Sequence, residues 1–208
     1  MKKLLLIAVA AIITTVGYCQ QNTTNVFDNA LYARVGLGFP GGELRDNEVI
    51  TAAGQFEVGT IFYINSLKTG DKFRLGLDVT YLSFTGMAHL GQLRDDNKTD
   101  SYFTAGLKAG PCASVNIVGN LMADAYFKLY PNAFIVGETE NNNYEADTQF
   151  KLGTSFGFNL RYKAIMLGME FTSAKYDFNN ISVSRLALDS STKSIKLPIT
   201  FVSLGVKL

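Results

Sequence analysis

Leu197-Pro198-Ile199-Thr200-Phe201-Val202-Ser203-Leu204-Gly205-Val206-Lys207-Leu208 is the stretch that decides the fold. Thr200, Val202, Leu204, Val206 and Leu208 fall on one side of an extended backbone, and Phe201, Ser203, Gly205 and Lys207 on the other. Period-two alternation with β-branched residues marks a strand with two unlike faces. No later segment of the sequence can pair with it. It is therefore either a bare edge, which invites aggregation, or it returns to the first strand and closes a barrel.

Seven earlier segments carry the same alternation, which favours closure. They run over about 30–39, 53–64, 72–84, 102–117, 121–130, 150–162 and 164–176. Leu31, Val35 and Leu37 mark the apolar face of the first, Phe73, Leu75 and Leu77 that of the third, and Phe156, Phe158 and Leu160 that of the sixth. Pro111 lies on the fourth segment and predicts a bulge or bend there. No segment has a helical period, and no break in composition marks a second domain.

The connections alternate in length. Short ones are expected at about 65–71, 118–120 and 162–164, and long polar ones at 40–52, 85–101, 131–149 and 179–196. An up-and-down barrel with this pattern has turns at one end and loops at the other, as membrane barrels do.

Alternation does not by itself decide which face looks out. The less apolar face carries Gly36, Gly59, Gly76, Gly110, Gly157, Gly168 and Gly205. Glycine weakens a strand and needs a reason. In an eight-stranded barrel the interior is just wide enough for side chains to fill it, so small residues must make room for long ones. The long ones lie on the same face: Arg34, Lys72, Arg74, Lys108, Lys128, Lys151, Arg161 and Lys207, with Glu57, Asp78, Asp124 and Glu170. Charges inside a barrel have to be paired. The expected network places Glu57 and Asp78 near Arg34 and Arg74, and shares Asp124 and Glu170 among Lys108, Lys128, Lys151 and Arg161. The apolar face then meets lipid. The competing arrangement is a soluble barrel with its apolar face inside and its charges in water.

The start of the chain fits export. Lys2 and Lys3 precede an apolar run from Leu4 to Val16, and Gly17, Tyr18 and Cys19 follow. This is the layout of a secretory signal peptide, expected to span 1–19 and to leave a barrel over 20–208. The run is shorter than the roughly 20 apolar residues of a spanning helix. Lipid attachment at Cys19 is a second reading, weakened by the bulky Tyr18 before it. Removing the signal leaves roughly 190 residues, a usual size for one domain. Lys2 and Lys3 leave with it, so 19 basic residues become 17 against 18 acidic ones, and a nucleic-acid partner is not expected. With Cys19 gone, Cys112 has no disulfide partner.

On the signal peptide, the eight alternating segments and the closing strand, the sequence resembles the small outer-membrane β-barrel families, the OmpA-like transmembrane domain and the OmpX-like proteins. The resemblance implies an all-β, eight-stranded, antiparallel up-and-down transmembrane barrel with short periplasmic turns and long extracellular loops. It further implies a place in the Gram-negative outer membrane, contact with lipid and lipopolysaccharide, and insertion by the barrel assembly machinery. Such barrels often end in Phe, where this chain has Leu208.

Few residues suggest chemistry. His89 is the only histidine, and no serine stands two residues after it. A lipid A-modifying activity therefore lacks the pattern it needs, and no enzyme is expected. Glu138, Glu140, Glu145 and Asp147 crowd one expected loop, but their spacing matches no ordered calcium motif. Gly36-Leu37-Gly38-Phe39-Pro40-Gly41-Gly42 opens no helix, so it is not a phosphate loop. No cofactor or metal is expected. Tyr32, Tyr63, Tyr102, Tyr126, Tyr130, Tyr162 and Tyr176 lie toward strand ends, where interface girdles form. The expected function is structural or interactive, through the outer loops, with an unidentified extracellular partner. The alternatives are a narrow anion-favouring pore, from eight bases against four acids on the inner face, a lipid A enzyme, or an accessory barrel of a secretion machine.

Overall fold

The computed structural model describes residues 27–42, 45, 50–68, 70–88, 98–140, 143–177 and 194–208. The expected signal peptide with Cys19, and the loop holding His89, lie outside these residues. The strands are β1 (Ala30–Pro40), β2 (Ala52–Lys68), β3 (Phe73–Ala88), β4 (Lys98–Val118), β5 (Leu121–Glu140), β6 (Asn143–Tyr162), β7 (Ile165–Asp177) and β8 (Ser194–Lys207). Each pairs antiparallel with its neighbour in sequence, and β8 pairs with β1, so the sheet closes on itself. Closure removes every lateral edge from the barrel wall.

Register fixes the shape. Partners traced from Arg34 through β2, β3, β4 and β5 arrive on β6 at Lys151. Traced the other way, through β8 and β7, they arrive at Arg161, a stagger of ten residues. Such a stagger tilts the strands and brings residues far apart in sequence to one height in the lumen.

Parity places the side chains. Val35, Leu77, Leu107, Phe127, Phe158, Leu167 and Leu204 point outward and are exposed, while Arg34, Asp78, Lys108, Lys128, Asn159, Glu170 and Ser203 point inward and are buried. A wall of exposed Leu, Val and Phe around a polar interior is the reverse of a soluble barrel and suits a hydrocarbon surround. No helix among the described residues is long and apolar enough to cross a membrane.

Several local expectations are corrected. The connection expected over 131–149 is a hairpin whose strands run on to Glu140 and Asn143, with Glu138 opposite Glu145. Pro111 stands in continuous register opposite Leu77, and the irregularity of that strand pair falls between Thr80 and Ser83. There Tyr81 and Leu82 both face out, which is what an extra residue in one strand produces. Tyr32, Tyr63, Tyr102, Tyr126, Tyr130 and Tyr176 are buried, so they build no girdle, whereas Tyr162 is exposed. Their parity, not their nearness to strand ends, decides this.

Candidate functional site

The lumen is built in layers. In the middle, β1 supplies Arg34, β2 Glu57, β4 Lys108 and β7 Glu170, all buried. Arg34 Nε donates to Glu57 Oε2 at 2.5 Å, and its Nη2 reaches both Glu57 and Glu170. Lys108 Nζ bridges the same two carboxylates, at 2.6 Å from Glu57 Oε1. Tyr126 OH donates to Glu170 Oε2 at 2.7 Å and accepts from Arg34 Nη1 at 2.9 Å. Ser83 Oγ and Gln55 Nε2 donate to Glu57 Oε1 at 2.9 and 3.0 Å. Two bases and two acids thus form a closed square, with hydroxyls and an amide satisfying the remaining lone pairs. A buried ion cluster is tolerated only when it is satisfied in this way.

Two pairs flank the square. Lys128 Nζ lies 2.9 Å from Asp78 Oδ2 and donates to Thr80 Oγ1 at 3.1 Å, while Tyr32 OH donates to Asp78 Oδ1 at 2.8 Å. Arg161 grips Asp124 through Nε to Oδ2 at 2.5 Å and Nη2 to Oδ1 at 2.7 Å. Its Nη2 also reaches Tyr63 OH, and Ser114 Oγ donates to Asp124 Oδ1 at 2.6 Å.

Glycines make these positions possible. A Cβ on Gly157 would sit 2.5 Å from both Met169 O and Tyr126 OH. One on Gly168 would sit 2.5 Å from Asn159 Oδ1 and 2.7 Å from Ser203 Oγ. Large and small residues alternate around the axis because the barrel has no spare width.

The expected network divides when its members are placed. Arg34, Glu57, Asp78, Lys108, Asp124, Lys128, Arg161 and Glu170 occupy the layers just described. Glu170 joins Arg34 and Lys108, and Asp78 joins Lys128, so the expected sharing is redrawn. Arg74 is corrected out of the cluster. It stands four residues from Asp78 on β3, about 13 Å of strand, and donates to Gly70 O at 2.5 Å and Phe73 O at 2.8 Å. Lys151 is corrected too. It is half-buried opposite Asn132, eight residues up β6 from Asn159, which pairs with Asp124, or about 27 Å.

Charge in the buried layers balances. Four bases, Arg34, Lys108, Lys128 and Arg161, meet four acids, Glu57, Asp78, Asp124 and Glu170. Lys72 is exposed, and Arg74, Lys151 and Lys207 are partly so. The inner-face excess of base therefore sits near the ends of the barrel and does not line its middle.

Toward the loop end the interior changes character. Tyr102, Phe134, Tyr176, Ile195, Leu197, Ile199 and Phe201 form one buried apolar cluster with Ile50 and Met87. Phe134 stacks on Tyr176 at 4.2 Å and on Tyr102 at 6.3 Å between centroids. Sequence reasoning missed this cap, although Leu197, Ile199 and Phe201 share the parity of Ser203 and Gly205. Tyr130, Thr104 and Phe201 help line a cavity of about 20 Å³ between cap and ion layer. That is room for about one water. The short-turn end holds a second cluster, with Phe27, Tyr63, Cys112, Met122 and Met166.

Among solved structures the chain is similar to Ail, the attachment invasion locus protein of Yersinia pestis, at TM-score 0.52 and 8% identity over 86% of this chain and 97% of that one. Ail in complex with the heparin analogue sucrose octasulfate is similar at TM-score 0.50 and 10% identity, over 88% and 100%. Neisserial surface protein A follows at 0.47 and 10%, over 86% and 96%. No family model matches the sequence, and no curated protein matches it. At such identities the likeness is one of fold.

Proposed function

We propose that this chain, an eight-stranded barrel of the small outer-membrane type, is a non-enzymatic surface protein that presents its long hairpins to partners outside the cell. The observation that carries this reading is the closed interior beneath an apolar wall. Among the described residues, the ion square, its flanking pairs and the apolar cap fill the lumen with buried, mutually paired side chains. What remains available for recognition is the loop end, where β5 and β6 continue to Glu140 and Asn143. The short turns face the periplasm, and the chain reaches the membrane by signal-directed export and the barrel assembly machinery.

Partner chemistry follows from charge. The segments 41–51, 89–97, 138–147 and 178–193 carry ten carboxylates against four Lys and Arg. Ail binds a sulfated heparin analogue in the complex named above. An acidic loop end favours cationic surfaces, and lipopolysaccharide phosphates would need bridging cations to approach it.

The test displays the chain on bacteria beside a variant in which 137–147 is replaced by a two-residue turn. Both are scored for adherence to cultured cells and to a polylysine-coated surface. The parent should bind one of these surfaces and the trimmed barrel should insert but bind neither. Adherence equal to that of cells lacking the chain would contradict the reading.

A further inference from the structure

The segment entering β1 turns into the barrel mouth. Phe27 is 6% exposed and packs edge-on against Tyr63, with centroids 5.5 Å apart and planes at 88°. The Arg74 guanidinium lies over the Phe27 ring, 4.8 Å from its centroid. Arg74 is held there by the carbonyls of Gly70 and Phe73 in and beside the β2–β3 turn. Two residues on, Asn29 Oδ1 accepts from the Tyr63 backbone N–H at 2.8 Å, which pins the segment to β2. A cation over one face of a ring and an aromatic against its edge is a favourable seat for a benzyl group.

The position beneath that seat matters more. Arg74 stands opposite Ser114, and the next inward pair along the same strands is Gly76 opposite Cys112. Gly76 offers no side chain, and a Cβ there would come within 3.1 Å of Cys112 Sγ. Cys112 is thus buried inward of Phe27, in the same apolar cluster, and Ser114 and Met122 stand with Phe27, Arg74 and Tyr63 on its mouth side. Beside it lies the Arg161–Asp124 pair, whose partner Tyr63 OH also contacts Ser114 Oγ at 3.2 Å.

From this geometry we infer that Phe27 is a stopper for the short-turn mouth, clamped by Arg74 and seated on Tyr63. Withdrawing it lets water into the short-turn end of the lumen, toward the Tyr63–Arg161–Asp124 group and Cys112. The closure is local: the central ion square and the apolar cap do not depend on it, so the mouth opens without making a channel. This goes beyond the surface role proposed above, since it concerns the opposite end of the barrel and does not rest on that role.

The test uses the full chain with Cys19→Ser, so that Cys112 is the sole thiol, folded in lipid nanodiscs. Its labelling by a small, membrane-impermeant maleimide is timed. Phe27→Ala should raise the rate about tenfold or more, because labelling tracks the population of the open mouth. Arg74→Gln, which leaves every strand residue facing lipid in place, should raise it about threefold on the same ground. Phe134→Ala, at the other end, should leave it unchanged. Heat-modified gel migration reports that each variant is folded. Rates for both mouth variants equal to the parent's would overturn the inference. So would an equal rise in Phe134→Ala, which would mean general loosening. If Phe27→Ala fails to fold, the Arg74→Gln rate alone decides.

Discussion

Arg34 is the residue on which the interior turns, because it touches both carboxylates of the ion square. Arg34→Ala leaves Glu57 and Glu170 with Lys108 as the one remaining cation of the square, and breaking a buried pair in this way costs about 3–5 kcal/mol. Denaturant unfolding in micelles should show a loss of that order, and a loss near zero would mean the carboxylates are not buried as charges. The glycines give a second test with its own control. Gly157→Ala forces a Cβ against Met169 O and Tyr126 OH, and overpacking of that kind costs about 1–3 kcal/mol. Gly54→Ala meets nothing within 4 Å and should be neutral. Which residues face inward was legible from parity along most of each strand, but not past the extra residue in β3, where Ser83, Thr85 and Met87 turn inward. Which base meets which acid was not, because the ten-residue stagger sets relative heights and alternation says nothing about stagger. That is why Arg74 and Lys151 looked like members of the network.

At the scale of elements, all eight strands could be read from alternation, and so could the tight β4–β5 and β6–β7 turns. The hairpin of β5 and β6 could not be read at its full length. Above the hydrocarbon the outward face no longer has to be apolar, so Pro131 and the acidic run after Gly137 resemble a loop while backbone pairing continues to Glu140. The apolar cap escaped for a related reason. A polar lumen was assumed along the whole axis, and the inward Phe134, Val136 and Ile199 reverse that assumption near the loops. One turn carries visible strain. Lys163, with φ of 53°, is the only non-glycine residue among those described in the left-handed region. Lys163→Gly should therefore stabilise the barrel by about 1 kcal/mol, read from the same unfolding curves. No gain would place the cost of that turn elsewhere.

For the molecule as a whole, the claim on which everything rests is that the apolar face meets lipid and the charged face is enclosed. A charge placed outward at mid-height, Leu167→Arg, should cost about 2–4 kcal/mol if the wall lies in hydrocarbon. Planar-bilayer recordings should be silent, since the buried charges balance and the cap is packed. The most direct measurement is a spin-label scan of Phe201 to Lys207 in nanodiscs, reading collisions with oxygen against those with a water-soluble nickel chelate. Oxygen accessibility should peak at Val202 and Leu204, with Phe201, Ser203 and Gly205 shielded from both reagents. Peaks for the nickel chelate at Ser203 and Gly205, with Val202 and Leu204 shielded, would turn the barrel inside out and contradict the account.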